Sequence, residues 1–202
     1  MQSTGIILAG GKSSRMGRNK ALMTLEDRAV IDRIAESLST ITTDLIVVTN
    51  TPDEFEFLGL RTVSDNYKEK GPLAGMEAGL RASNTEKNLI VACDMPFISS
   101  GIGGYLLTQL EEHEAAVPII QNRLHPLFAS YRKDVQSRIE QSIISDELKI
   151  RLLLEKINTK TVTETELKNQ GFSVTENDFF NMNHPVDFSQ ALKISSQKSS
   201  ES

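Results

Sequence analysis

Apolar positions along this chain follow two alternating patterns. Runs with no polar alternation, residues 4–8 (TGIIL), 45–49 (LIVVT) and 88–93 (NLIVAC), predict strands buried on both faces, as in a parallel sheet covered by helices. Between them, residues 29–38 place Ile31, Ile34, Ala35 and Leu38 at the spacing of one helical face. A short strand follows over 60–64. A helix then opens at Pro72, where the missing N–H of proline costs nothing, and its small residues Ala74, Gly75, Ala78 and Gly79 allow close packing. Further along, 104–112 predicts a helix and 115–120 a strand. Pro126 marks 124–132 as an edge strand. Residues 135–157 give an amphipathic helix in two pieces, with Leu148, Leu152, Leu153 and Ile157 on its apolar face. A strand over 159–162 continues into Glu164 and Glu166, expected as a solvated face, and Pro185 starts a closing helix through Leu192. Alternating strands and helices imply an α/β fold with a mostly parallel central sheet, as one domain over 1–194. Residues 195–202 offer nothing to bury and are expected as a disordered tail.

Composition narrows the class. At 202 residues the chain is large enough to bury roughly 70% of its unfolded surface without staples. A net charge of −5 argues against a general nucleic-acid surface, whose footprint is a basic stripe. The lone Cys93 excludes an internal disulfide, and the lack of a signal peptide or long apolar run implies a cytoplasmic protein with no membrane segment. His113, His125 and His184 have no metal-ligand spacing, and His125 is expected to be neutral and exposed.

Candidate chemistry gathers where strands end. The first strand runs into LAGGKSSRMGRNK, residues 8–20, where Gly10 and Gly11 let backbone N–H groups approach a polyanion and Lys12, Arg15, Arg18 and Lys20 supply positive charge. Neither a P-loop nor a dinucleotide fingerprint fits this string. Asn50 ends the second strand and Asp65 the third, on the edge where α/β sheets bind ligands; Asn50 also reads as a simple turn residue. Gly71, Pro72 and Leu73 lead into a helix N-terminus, a second anion-binding feature. Asp94, in CDMPF, suits a Mg2+ ion held by one carboxylate, phosphates and water, or else caps the helix beginning near Ser99. Asn181 and Asn183, in FFNMNHPVDF, suit paired ligand contacts or an Asx turn. Cys93 reads as a buried filler. With no Ser-His-Asp set and no activated cysteine, this assembly fits in-line displacement at phosphorus, a reaction governed by positioning and charge neutralisation.

LAGGKSSRMGRNKAL resembles the signature loop of the molybdopterin and sugar-nucleotide nucleotidyltransferases, and is most similar to that of the molybdenum cofactor guanylyltransferase (MobA) family. The likeness extends in order through KGPLAGM, CDMP, HPLFASYR and FFNMNHPVD, spanning essentially the whole chain. It departs at Asn19, where the family has Asp, which removes a negative charge beside Lys20. The resemblance implies a three-layer Rossmann-like fold, GTP as donor, Mo-molybdopterin as acceptor and Mg2+ as cofactor. It implies catalytic roles for Arg15, Lys20 and Asp94, with metal on Asp94. Nucleotide contacts would fall on Leu8, Ala9, Gly10, Gly11, Lys20, Asn50, Asp65, Gly71, Pro72, Leu73 and Asp94, and Asn181 and Asn183 would support the active site and the pterin side. Molybdopterin-handling proteins and molybdoenzymes would be protein partners. A molybdopterin cytidylyltransferase, a sugar-phosphate nucleotidyltransferase and a non-catalytic nucleotide-binding adaptor are the alternatives.

Overall fold

The computed structural model describes residues 2–10 and 19–200, with the side chains of 198–200 excepted. Its elements run in the order β1 (Ser3–Leu8), β2 (Thr24–Leu25), β3 (Arg28–Ala29), α1 (Val30–Ser39), β4 (Asp44–Val48), β5 (Arg61–Val63), α2 (Pro72–Ala82), β6 (Lys87–Ala92) and α3 (Ser100–Thr108). There follow β7 (Ala115–Ile120), β8 (Arg123–Leu124), β9 (Phe128–Arg132), α4 (Val135–Ile144), α5 (Ile150–Lys156), β10 (Thr159–Thr163), α6 (Glu164–Asn169) and α7 (Pro185–Ser200). The main sheet has the order β10-β7-β9-β6-β1-β4-β5, with β8 paired to β7.

Strands β6, β1, β4 and β5 are mutually parallel, and β9 runs antiparallel to both β6 and β7. Alternation along β1 explains the layering. Ile6 and Leu8 pack toward α2, α4 and α5, while Ile7 packs toward α1, α3, α6 and α7. Every residue of β1 is buried, as its unbroken apolar run predicts. Gly79 of α2 sits against β1 so closely that a Cβ there would lie 2.4 Å from Ile6 Cγ2, which accounts for the small residues of that helix.

Four expectations need correction. The 124–132 segment is no edge strand: Pro126 falls in the turn after β8, and β9 is interior, between β6 and β7. Helix α3 begins at Ser100 rather than 104, because Gly103 lets the helix approach Leu89 and Ile41 to distances a side chain would not allow. Glu164 and Glu166 open α6 rather than prolonging a strand, with the Thr163 hydroxyl accepting from the Glu166 N–H at 3.1 Å. Finally, α7 continues past Leu192 with Ile194 and Ser195 buried, so the chain does not lose its structure at 195.

Candidate active site

Parallel pairing brings the carboxyl ends of β1, β4, β5 and β6 to one edge. The Ala9 N–H donates to Val48 O at 2.9 Å and the Cys93 N–H to Leu8 O at 3.1 Å, which locks the ends of β1, β4 and β6 into step. Leu8 and Ala9 are buried, while Gly10 emerges at the surface. Gly11, Lys12, Arg15 and Arg18 lie outside the described residues.

Asn19 works in two directions. Its side-chain oxygen accepts from the Ala21 N–H at 3.2 Å, capping the 3-10 turn Lys20–Leu22, and its amide donates to Glu54 Oε2 at 2.7 Å. An Asp here would keep the cap but set two carboxylates face to face. Asn19 therefore suits the presence of Glu54, which also accepts from the Thr51 hydroxyl at 3.2 Å.

Lys20 then reaches the centre of the cleft. Its Nζ lies 3.8 Å from Asp94 Oδ2 and donates to Asn183 Oδ1 at 3.3 Å. Asp94 in turn is tied to the C-terminal segment, because its carbonyl accepts from the Met182 N–H at 2.9 Å. Burial pushes the Asp94 carboxyl above its usual range, opposed first by Lys20, then by its own backbone and by Arg123. The cap of α3 is Ser99, whose hydroxyl accepts from the Ile102 N–H at 3.4 Å, so Asp94 does not serve in that role. Burial beside Asp94 pushes the Cys93 thiol up to about 12, which leaves it without nucleophilic thiolate at neutral pH.

Toward β4 and β5, the Asn50 amide donates to Asp65 Oδ2 at 2.8 Å. The second Asp65 oxygen is buried with no partner among the described residues, an acceptor left over for a donor from elsewhere. Gly71 has φ 66° and ψ −154°, a conformation costly for any residue with a Cβ, and it delivers Pro72 to the first turn of α2. Gly71 and Pro72 are exposed, whereas the Leu73 side chain is fully buried and serves the core.

On the other side of Lys20, a groove of about 350 Å³ separates the β7–β8 hairpin from residues 176–183. Asn181 and Asn183 both line it, but their bonding differs. Asn183 meets Lys20, and the Asn181 amide turns back to Phe179 O at 3.1 Å. His125 also lines the groove; it is neutral as expected, but buried rather than exposed. Its ring stands 4.7 Å from that of Phe179, and burial, with help from Arg123, lowers its pKa to about 4.

Three contributors escaped sequence reasoning. Asp187 accepts from the Asn183 and His184 N–H groups, both at 2.7 Å, and so fixes the turn that presents Asn183. Its position four residues after Asn183, just inside a proline-started helix, was the available signal. Glu54 and Arg123 left none, since each is placed by a neighbouring strand or hairpin.

Comparison with known proteins matches residues 5–161 to the MobA-like NTP transferase domain. A "Probable molybdenum cofactor guanylyltransferase" of Carboxydothermus hydrogenoformans is 36% identical over 195 residues, covering 96% of this chain and 98% of its own. A protein of the same name from Pelotomaculum thermopropionicum is 37% identical over 191 residues, covering 95% and 92%. Among solved structures, molybdopterin-guanine dinucleotide biosynthesis protein A from Archaeoglobus fulgidus superposes with a TM-score of 0.80 at 25% identity, covering 96% of this chain and 99% of that one.

Proposed function

The chain belongs to the MobA-like NTP transferase family and is a nucleotidyltransferase, and we infer that it transfers GMP from GTP to Mo-molybdopterin, forming molybdopterin guanine dinucleotide and pyrophosphate. The observation that carries this reading is the meeting of Lys20, Asp94 and Asn183 between the strand ends on one side and the groove on the other. A reaction joining two large phosphate-bearing molecules needs two compartments that share one charged centre, and this arrangement supplies them.

In that reading the acceptor's phosphate oxygen forms a bond to the α-phosphorus of GTP, and the bond from that phosphorus to the bridging oxygen of pyrophosphate breaks. Because the nucleophile is already anionic, no general base is required. Lys20, together with Arg15 from the glycine-rich loop, offsets the negative charge gathering on the α-phosphoryl oxygens and the departing pyrophosphate. Gly10 and Gly11 admit the triphosphate to the backbone. The Asp65 oxygen that has no partner among the described residues and the exposed Gly71–Pro72 turn support a ribose and base site beyond Asn50.

A largely buried single carboxylate beside a lysine fits a hard divalent ion that takes its remaining oxygens from phosphates and water, so Asp94 is the residue to hold Mg2+. Bound there, the ion would neutralise phosphate charge. The burial that raises the Asp94 carboxyl is opposed by that added positive charge.

The test is a thermal-shift screen of the four ribonucleoside triphosphates with Mg2+, since a ligand that binds only the folded state raises its apparent stability. GTP alone should raise the melting temperature. An equal shift from CTP would redirect the assignment to a cytidylyltransferase.

A further inference from the structure

We propose that Arg123 holds the phosphate of the acceptor, as a cation of the groove that completes the site from the side opposite the nucleotide strands. The proposal rests on the transfer reaction inferred above and adds the residue that places its second substrate. Arg123 and Asn183 line the same groove, and Asn183 accepts from Lys20, so one end of the groove opens on the reacting centre. Arg123 is exposed, projects from the short β8, and pairs with no carboxylate at ion-pair distance among the described residues. Its field still reaches inward, for it opposes the burial that raises Asp94 and helps keep His125 neutral.

The division of charge follows. Lys20, at the junction of the two compartments, is already engaged with Asp94 and Asn183. An incoming phosphate monoester needs a positive group of its own, and a guanidinium gives two parallel N–H donors to two phosphate oxygens while leaving the third free to attack. Among the described residues that line this groove the acid is Glu176, and it is engaged by the Gln121 amide at 2.6 Å. The rings of His125 and Phe179, tilted 53° to each other, give the groove an uncharged aromatic lining against which the acceptor's heterocycle can rest.

The experiment uses the full chain with GTP, Mg2+ and Mo-molybdopterin, and measures the wild type first. Should the wild type form no dinucleotide, both the inferred reaction and this acceptor subsite fall. With wild-type turnover in hand, Arg123→Ala is expected to raise the acceptor KM at least tenfold with the GTP KM within twofold, and Arg123→Lys to recover part of the loss. Competition by inorganic phosphate against the acceptor should weaken in parallel. An unchanged acceptor KM, or an equal rise in both KM values, would overturn the role of Arg123 while leaving the reaction intact.

Discussion

The two sides of the cleft are built differently. On the side proposed for the donor, Ala9, Asn50, Asp65 and Asp94 each stand one or two residues beyond a parallel strand, so their positions follow from strand pairing alone. The groove proposed for the acceptor is assembled from a tight hairpin and a segment about fifty residues away in sequence, joined by side chains such as Gln121 and Glu176. The hairpin turns on Gln121 and Asn122 with φ of 49° and 61°, and the segment on the Thr175–Asp178 capping box. A shared parallel edge is hard to alter without losing the sheet. A hairpin and a capped turn change by single residues, as connecting segments generally tolerate.

That contrast can be probed by substitutions ordered by expected effect. Asp94→Asn should cost the most, lowering turnover roughly 10³-fold and blunting its dependence on Mg2+. The same change should raise the melting temperature of the ligand-free protein at neutral pH. The folded carboxyl titrates above its ordinary value, so the native state binds the proton more tightly than the unfolded chain, and stability declines as pH rises through that window. Calorimetry that found the variant less stable at neutral pH would count against a carboxylate penalised by burial. Lys20→Ala, at the junction, should reduce turnover about 10²–10³-fold and weaken both substrates together. A defect confined to one KM would show that Lys20 belongs to a single side.

Smaller effects are expected on the acceptor side. Asp187→Ala leaves the Asn183 and His184 N–H groups without their acceptor, a loss of about 1 kcal/mol, or several-fold in acceptor KM, with GTP binding spared. Equal kinetics for the variant and wild type would remove Asp187 from the site. His125 gives the least: its folded pKa near 4 lies below the ordinary 6.5, so the stability it contributes is present above pH 6.5 and lost as pH falls toward 4. Urea titrations of His125→Phe should show a flatter pH dependence across that interval, and an unaltered slope would contradict the neutral ring.

The same division explains what the sequence disclosed. Strands β1, β4 and β6 were legible because burial on both faces leaves an unbroken apolar run, and their ends pointed to Gly10, Asn50 and Asp94, as the end of the shorter β5 pointed to Asp65. The interior place of β9 was not legible, since strand order depends on which distant partners pair, and Pro126 drew attention away from the turn it occupies. The early start of α3 escaped for a related reason: glycines that lower helix propensity were retained for contact with Leu89 and Ile41. The link between Lys20 and Asn183 crosses nearly the whole chain, and no local pattern announces it.

Incubation with α-labelled nucleotide, Mo-molybdopterin and Mg2+ bears most directly on the claim that one charged centre joins a GTP site to a pterin groove. Label from GTP should enter a pterin dinucleotide with release of one equivalent of pyrophosphate, and Lys20→Ala should abolish nearly all of it. Equal labelling from CTP, or full transfer by the Lys20 variant, would contradict the account.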